Sequence, residues 1–277
     1  MNTEIKSRIL NATGSREITE IEDIQPLWNN YGMLSRVYLV GNPTYPSVVV
    51  KHIQIPNQQE HPKGFASSFS KHRKITSYQV EAYWYQNYNH CIAESTSSPT
   101  PKCLDVFDNG NELFLLMEDL SNRGYSEILY NADWEQISSV LSWLASFHSQ
   151  FMNHEPEGIW SCGTYWHLAT RPEELCNIQG TELHRLASFF DARLQQCNHQ
   201  TFVHGDAKLA NFCFHKNLQQ VAAVDFQYVG KGCGMKDVAY FIGGCLQSEQ
   251  SERLESKILD VYFSELTRFL KDSDIDT

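Results

Sequence analysis

The chain has 277 residues, enough for one large domain or two lobes around a cleft, and 42% of them are hydrophobic, which argues against disorder. Its formal net charge of −11 argues against a nucleic-acid partner, because binding to a phosphate backbone normally needs a basic surface. No apolar run is long enough to cross a membrane, and residues 1–10 do not resemble a signal peptide. The eight cysteines include no C-x-x-C pair, so we expect free thiols and a cytoplasmic protein without a membrane partner.

The first half of the chain is predicted to carry most of the β-structure. Two runs rich in β-branched and aromatic residues, Ser35–Val40 and Ser47–Ile53, flank the turn sequence at 41–43 and predict a hairpin. A second hairpin is predicted over 102–117, around the turn at 108–110. Together they indicate an antiparallel sheet.

Between the hairpins, the sequence predicts a loop followed by one helix. Residues 54–73 are polar and contain two prolines, which favours a loop. The basic run at 71–74 is interpreted as a solvated surface that precedes or caps the helix. Residues 76–88 carry apolar side chains at helical spacing, so we expect one helix packed on the sheet.

After residue 120 the pattern becomes mainly helical. Amphipathic helices are predicted over 133–151, 181–197 and 251–271, with a short β segment over 212–226. The predicted fold class is therefore α+β. A small lobe of antiparallel sheet plus helix is followed by a larger, mainly helical lobe, with the join near 118–123.

The most informative segment is residues 203–227, VHGDAKLANFCFHKNLQQVAAVDFQ. It contains His204-Gly205-Asp206, then Asn211 five residues later and Asp225 fourteen residues after that. Two short strands joined by a turn would bring Asn211 near Asp225, where an amide oxygen and a carboxylate could bind Mg²⁺. Asp206 would lie within reach of a substrate hydroxyl. The alternative is that Asp206 and Asn211 only cap turns, as these residue types often do.

At these residues the sequence resembles the aminoglycoside phosphotransferase and choline kinase superfamily. The runs HGDAKLANFCF and AAVDFQ are most similar to its ecdysteroid kinase-like branch. The resemblance implies a bilobal protein-kinase-like fold, ATP and Mg²⁺ as cofactors, and transfer of the γ-phosphoryl group to a hydroxyl. By the same resemblance, Asp206 would be the catalytic base, and Asn211 and Asp225 would bind the metal.

The resemblance also implies a separate role for each of three segments of the chain. Residues 1–117 would bind the nucleotide, residues 118–123 would form the hinge, and residues 124–277 would carry the catalytic loop and the acceptor site. At the hinge, backbone groups of Glu118 and Leu120 are expected to contact the adenine.

Charged residues around the motif are candidates for the same reaction. Lys51, in VVVKHI, is expected to bind the α- and β-phosphates and Glu81 to pair with it, although a strand lysine alone is usually just solvated. Lys208 is expected to neutralise the migrating phosphoryl group, with a solvated loop lysine as the alternative. His204 and Asp237 are expected to support the catalytic loop, and Asp237 would also serve as a helix N-cap.

The phosphate-covering turn departs most from the family pattern. The stretch at 29–36, NNYGMLSR, holds a single glycine, Gly32, where kinases commonly have several. The hydroxyl of Ser35 is expected to compensate. The glycine cluster at 230–234 follows Asp225 and therefore cannot form the phosphate loop.

Two features favour a small-molecule alcohol over a protein as the acceptor. Gly205 stands where protein kinases carry an arginine that docks a phosphorylated activation segment. Only eleven residues separate Asp225 from Asp237, which leaves little room for a peptide platform.

Aromatic residues near the motif leave the identity of the acceptor open. Trp160, Tyr165 and Trp166 follow the first large predicted helix, which itself carries Trp143. These rings could cage a choline-like ammonium group, pack against a steroid-like ring, or simply form core.

Two alternative functions stay open at this point. A catalytically inactive nucleotide-binding scaffold of the same fold is favoured only by the glycine-poor turn. An aminoglycoside-resistance kinase would phosphorylate an amino-sugar alcohol and would need an acidic acceptor pocket. Its candidate acids are Glu155, Glu157, Glu173, Glu174 and Asp191.

Overall fold

A computed structural model describes residues 1–54, 68–165 and 167–272 of the chain. The amino-terminal part consists of two helices and five strands, with the bounds α1 Thr3–Thr13, β1 Glu17–Pro26, β2 Gly32–Val40, β3 Ser47–Gln54, α2 Ser68–Asn87, β4 Cys103–Asp108 and β5 Glu112–Glu118. Both predicted hairpins are confirmed, because β2 pairs with β3 and β4 with β5, each antiparallel. The five strands form one sheet in the order β1-β2-β3-β5-β4.

The alternation of side chains along β3 gives the two faces of the sheet different partners. Val48 and Val50 pack with Ile5 and Ile9 of α1 in one apolar cluster. Lys51 follows Val50 directly and therefore lies on the opposite face. The sheet is thus covered by α1 on one face, while its other face is directed at α2 and the site.

The structure corrects the sequence prediction between the hairpins. Residues 68–73, predicted as part of a loop, belong to α2, which begins eight residues earlier than predicted. The basic run at 71–74 therefore lies within the helix. Residues 55–67 of the predicted loop lie outside the described ranges.

The sequence analysis identified neither α1 nor β1. Strand β1 is exposed along most of its length, and its isoleucines, Ile18, Ile21 and Ile24, recur every third residue rather than every second. A strand that buries neither face does not show the period of two by which strands are recognised. Its place at the sheet edge is set by pairing with β2.

The carboxyl-terminal part is mainly helical. Its elements are β6 Glu127–Ile128, α3 Trp134–Gln150, α4 Pro172–Asn177, α5 Glu182–Gln195, β7 Thr201–Val203, β8 Phe212–Phe214, β9 Val221–Ala223, β10 Gly230–Gly232, α6 Met235–Cys245 and α7 Ser248–Asp272. The three predicted helices are confirmed as α3, α5 and α7, and the predicted β segment as the β8–β9 hairpin.

Helix α3 illustrates how the sequence sets an element boundary. The side chain of Asp133 accepts hydrogen bonds from the amides of Glu135 and Gln136, and the Gln136 side chain accepts from the Asp133 amide. This reciprocal capping box satisfies amide groups that have no partner inside the helix. The helix consequently begins at Trp134.

One apolar core connects the sheet to the helical part. It includes Leu115 of β5, Trp84 of α2, Phe147 of α3 and Phe241 of α6. The chain passes between the two parts through a 3₁₀ turn over Leu120–Arg123, where the sequence predicts the hinge. The predicted α+β fold class is confirmed. None of the helices in the described ranges has the length and apolarity needed to span a membrane.

Candidate active site

A glycine and a 3₁₀ turn shape the predicted catalytic loop. Gly205 has a φ of 81°, and a Cβ atom there would lie 2.1 Å from the carbonyl oxygen of Tyr228. Only glycine tolerates both conditions. The loop closes in a turn over Leu209–Asn211, and the Asn211 side-chain amide donates to the carbonyl oxygen of Asp206 at 2.9 Å. The spacing D-x-x-x-x-N therefore brings both functional groups together.

The Asp206 carboxylate is buried and has three side-chain partners. Its Oδ2 accepts from Lys208 Nζ at 2.7 Å and from Asn211 Nδ2 at 3.1 Å, and its Oδ1 accepts from the Tyr240 hydroxyl at 3.2 Å. Sequence analysis missed Tyr240, although its position three residues after Asp237 in α6 is the spacing of one helix face. Burial, followed by the charge of Asp206, raises the pKa of Tyr240 to about 12, which keeps it a neutral donor.

Asp237 holds the catalytic loop from α6. Its Oδ2 accepts from the His204 amide at 2.6 Å, and its Oδ1 accepts from the Gly205 amide at 2.9 Å. Burial alone would raise the pKa of Asp237, but its hydrogen bonds, first that from His148, lower it below the ordinary value. The carboxylate thus binds two loop amides directly, which is the arrangement expected for a supporting residue.

The two histidines around Asp237 have defined hydrogen-bond roles. The His204 ring lies between the Asp206 amide, 3.3 Å from Nδ1, and the Val224 carbonyl oxygen, 3.0 Å from Nε2. Nδ1 must accept, because an amide only donates, so Nε2 carries the proton. His148 Nε2 lies 3.1 Å from Asp237, and its Nδ1 lies 2.8 Å from the hydroxyl of Tyr262 in α7. A buried polar chain therefore runs from α7 to the catalytic loop.

Lys51 pairs with Glu81 as predicted, and also with Asp225. Its Nζ lies 2.6 Å from Glu81 Oε2 and 2.9 Å from Asp225 Oδ1. Burial alone lowers the pKa of Lys51, but the two carboxylates outweigh it and raise the pKa above the ordinary value. Burial also raises the pKa of Glu81, to about 7, whereas the neighbouring Lys51 charge lowers that of Asp225 despite burial. The lysine charge is therefore balanced by two carboxylates, those of Glu81 and Asp225.

The β8–β9 hairpin brings Asn211 and Asp225 together. The Val224 amide donates to the Asn211 carbonyl oxygen at 3.0 Å, so the two chain segments are adjacent at the metal-binding positions predicted from sequence. Asp225 has a φ of 68°, a left-handed conformation that is uncommon outside glycine. Such a conformation is sustained only where the surroundings impose it.

The donor atoms at this point fit a magnesium ion. Because the Asn211 nitrogen donates to Asp206, its side-chain oxygen is the atom left to face a cation, beside the Asp225 carboxylate. Both are hard oxygen ligands. Within the described ranges no group of three or more His, Cys, Asp or Glu side chains could hold a metal. The site therefore fits an ion that takes most of its ligands from substrate phosphates and water.

The residues at the predicted hinge are held by side chains as well as by the backbone. Asp119, between the predicted residues Glu118 and Leu120, is 2% exposed. Its Oδ2 accepts from Ser47 Oγ at 2.6 Å and from Arg36 Nε at 2.7 Å. Asp119 thus ties the chain directly after β5 to strands β2 and β3. The sequence signal that could have identified it is an acidic residue directly after an apolar strand.

The structure contradicts the prediction for the phosphate-covering turn. The chain turns over 27–31, whereas Gly32 and Ser35 lie in β2. A Cβ atom on Gly32 would lie 1.9 Å from the carbonyl oxygen of His52, so the glycine permits close packing of β2 on β3.

Ser35 lies on the wrong face of the sheet for its predicted role. It pairs with Val50, on the face that packs against α1, and its hydroxyl donates to Asp23 at 2.8 Å. Leu34, which pairs with Lys51, occupies the face directed at the site instead. The two-residue period of a strand decides this, and NNYGMLSR does not reveal which face is buried.

The aromatic residues proposed for the acceptor pocket have two different environments. Trp143 is buried, stacks on Phe147 and belongs to the core. Trp160 and Tyr165, joined by Tyr228, surround Arg73 of α2 and form what we call the aromatic cluster. Trp166 lies outside the described residues.

The guanidinium of Arg73 fills the aromatic cluster. It lies 5.5, 6.0 and 5.2 Å from the ring centres of Trp160, Tyr165 and Tyr228. It also donates to the carbonyl oxygens of Thr164 and Tyr165, at 2.9 and 3.0 Å. The cluster is therefore occupied by a cation of the protein itself. The interpretation of the basic run as a solvated surface is wrong for Arg73.

Three of the five acidic residues proposed for an amino-sugar pocket have side-chain partners in the described part of the chain. Glu155 forms an ion pair with Lys231, and Glu174 with Arg171. Asp191 accepts a hydrogen bond from Gln195 on the exposed side of α5. These three carboxylates are therefore already engaged by neighbouring side chains.

Comparison with known proteins agrees with this site. Residues 161–275 match the ecdysteroid kinase-like family. The predicted resemblance is confirmed. The matched segment includes every residue of the catalytic loop and the β8–β9 hairpin. A search of curated protein sequences found no match.

A solved kinase structure has a similar fold at low sequence identity, and two phosphotransferase structures match at lower scores. A microcompartment-associated aminopropanol kinase is similar over 96% of this chain and 80% of its own, at 10% identity and a TM-score of 0.56. An aminoglycoside-3′-phosphotransferase of type VIII covers 97% of each chain at 13% identity and a TM-score of 0.49. The APH(3″)-Id phosphotransferase from Streptomyces rimosus, in complex with ADP and streptomycin, covers 89% of this chain and 90% of its own, at 14% identity and a TM-score of 0.47.

Proposed function

We propose that the protein is an ATP- and Mg²⁺-dependent phosphotransferase whose acceptor is the hydroxyl of a small molecule. The observation that carries the proposal is the convergence of Asp206, Asn211 and Asp225 with the buried Lys51–Glu81 pair. Capping of turns alone would not require a buried lysine to bridge a helix and the Asp225 carboxylate. Phosphoryl transfer requires these groups, since it depends on positioning and on neutralising phosphate charge.

The proposal assigns tasks to the charged residues of the site. Asp206 orients the acceptor hydroxyl and accepts its proton, while Tyr240 and Lys208 hold the carboxylate in place. Lys208 is near enough to Asp206 to neutralise charge on the migrating group. Lys51, kept protonated by two carboxylates, binds the nucleotide phosphates.

Asn211 and Asp225 would hold Mg²⁺ through one oxygen each. The ion would supply charge neutralisation for the phosphates when bound. The remaining ligands would come from the nucleotide and from water, as is usual for Mg²⁺. At the hinge, the carbonyl of Glu118 and the amide of Leu120 are the groups we propose for contact with the adenine.

The acceptor is proposed to be a neutral or anionic alcohol rather than a cationic one. A choline-like ammonium cannot use the aromatic cluster, because Arg73 already occupies it. Two of the acids that an amino sugar would need already form ion pairs within the chain, Glu155 with Lys231 and Glu174 with Arg171. A steroid-like or hydroxy-acid alcohol agrees better with the charges at the site than a choline-like or amino-sugar alcohol.

The proposal is tested first by nucleotide binding and then by turnover. Thermal-shift titrations with ATP, GTP and ADP, each with and without Mg²⁺, should show stabilisation that needs the metal, about 2.7 kcal/mol at a hundredfold excess over Kd. An ADP-release screen should then compare sterols, hydroxy acids, choline and aminoglycosides. Binding without turnover on any of them would favour the inactive scaffold. Absence of nucleotide binding would refute the proposal.

A further inference from the structure

Gln227, two residues after Asp225, is a buried side chain without a role in the proposed reaction so far. It is 5% exposed. Its Nε2 donates to Asp225 Oδ1 at 2.6 Å, and its Oε1 accepts from Lys74 Nζ at 2.6 Å and from Ser77 Oγ at 3.1 Å. Both ends of the amide therefore have partners, one in the site and two in α2.

Chemistry fixes which way the amide points. A lysine ammonium can only donate, so the oxygen of Gln227 must face Lys74. An ionised carboxylate can only accept, so the nitrogen must face Asp225. A glutamate at this position would place a second carboxylate against Asp225, and an apolar residue would leave the half-buried Lys74 without this acceptor. Only a neutral side chain with a donor and an acceptor satisfies both neighbours.

This contact determines which oxygen of Asp225 remains for a metal. Oδ1 accepts from Lys51 at 2.9 Å and from Gln227 at 2.6 Å, so its two lone pairs are occupied. Among the described residues, no hydrogen bond to Oδ2 is found. The carboxylate is therefore held through one oxygen, and the other is left for a cation, next to the chain segment of Asn211 that the Val224 amide binds.

Two residues on one face of helix α2 hold this arrangement in place. Glu81 holds Lys51, and Lys74, seven residues earlier, holds Gln227. Seven residues correspond to about two turns, or roughly 10 Å along the helix axis. Lys74 also lies 4.9 Å from the ring centre of Tyr78, which is the residue between them on this face. The position of α2 is thereby coupled to the orientation of Asp225 at both points.

We propose that Gln227 is a positioning residue that, held by Lys74, orients Asp225 so that Oδ2 alone binds Mg²⁺. This inference rests on the proposed function, since it concerns the same metal site. It adds Lys74 of α2 to the machinery and assigns a task to the basic run at 71–74.

The test is the gain in ADP affinity that Mg²⁺ produces, measured by isothermal titration calorimetry. The ratio of Kd without Mg²⁺ to Kd with Mg²⁺ isolates the metal contribution from the contacts of adenine and ribose. For Gln227→Leu we expect this ratio to fall about tenfold, with Kd in the absence of Mg²⁺ unchanged. Gln219→Leu, the same change in the exposed β8–β9 turn, is the matched control and should keep the full ratio.

A second pair of variants keeps the test independent of whether Gln227→Leu folds. Lys74→Met removes the donor that holds Gln227 and should lower the ratio about threefold, whereas Lys74→Arg retains a donor and should restore most of it. If the Kd ratio of Gln227→Leu is within twofold of that of the unaltered protein, the inference is overturned, while the proposed function is not. If Gln227→Leu does not fold, the same criterion applies to Lys74→Met. If the unaltered protein shows no metal-dependent ADP binding, the proposed function fails and this inference fails with it.

Discussion

The catalytic loop and the turn between β1 and β2 are positioned by different physical means. The loop is held by two buried carboxylates, its own Asp206 and Asp237 of α6, each with several hydrogen-bond donors. In the turn, Trp28 is 43% exposed, and Asn29 and Asn30 both have a φ of 56°. Buried charges define one position sharply, whereas an exposed turn is defined mainly by the backbone conformations its residues tolerate.

The difference indicates which of the two regions tolerates amino-acid substitutions. A family-typical glycine is absent from the turn, and two asparagines, which tolerate the left-handed region better than other side chains, take its place. No such replacement is available in the loop, where each carboxylate satisfies several donors at once. We therefore expect the chemistry to be sensitive to single changes in the loop and nucleotide affinity to respond only moderately to changes in the turn.

The largest effect is expected for Asp206→Asn. The amide cannot accept the acceptor proton, so kcat should fall about 10²–10⁴-fold. Binding of Mg·ADP should be nearly unchanged, because Asp206 does not belong to the proposed nucleotide contacts. Turnover is measured by ADP release and binding by calorimetry. A variant with near-normal kcat would show that Asp206 is not the base.

Asp237→Asn is expected to act through the loop rather than through the substrate. One of its two oxygens becomes an amide nitrogen that must face the amide of His204 or Gly205, so a buried donor loses its acceptor. We expect the free energy of unfolding in urea to fall by about 3 kcal/mol, together with a lower kcat. Asp260→Asn, at an exposed position of α7 outside the site, serves as control. Unchanged stability in Asp237→Asn would contradict the support assigned to it.

The turn is probed by Asn30→Val and Asn30→Gly. A β-branched residue in the left-handed region costs about 1–2 kcal/mol, whereas glycine costs little. If the turn covers the nucleotide, valine should raise the KM for ATP about three- to tenfold with little change in kcat, and glycine should not. Equal kinetics in both variants would remove this turn from the nucleotide site.

The smallest effect is expected for a residue outside both the catalytic loop and the turn between β1 and β2. His167 follows the aromatic cluster and is partly exposed. Burial, and then the charges of Arg73 and Lys236, lower its pKa to about 4. The unfolded state therefore takes up a proton near pH 6.5, whereas the folded state does so only near pH 4. The contribution of this residue to the free energy of unfolding is complete above pH 6.5. It is lost as the pH falls from 6.5 to 4, because only the unfolded state takes up the proton in that range.

We expect His167→Gln to flatten this acid dependence. Allowing for its partial exposure, the difference from the unaltered protein should be about 1 kcal/mol at pH 5 and vanish at pH 7.5. Urea denaturation at the two pH values measures it, with His184→Gln on exposed α5 as the control. An identical pH dependence in the unaltered protein and in His167→Gln would mean that the neighbouring cations do not act on this residue.

The sequence by itself determined the elements whose signals are local. Hairpins with turn residues, amphipathic helices such as α3 and the spacing from Asp206 to Asn211 and Asp225 depend on neighbouring residues only. The pairing of Lys51 with Glu81 was expected from the resemblance to kinases, and the structure brings the two side chains together. These features agree with the structure.

Only the tertiary structure decided which face or partner a side chain meets. Ser35 and Leu34 are adjacent in sequence, yet only Leu34 lies on the face of Lys51. Arg73 and Lys74 lie in a run that reads as solvated, and reach the site because α2 begins earlier than its apolar pattern does. Burial and long-range contacts depend on how distant segments pack, and a local pattern holds no information about that packing.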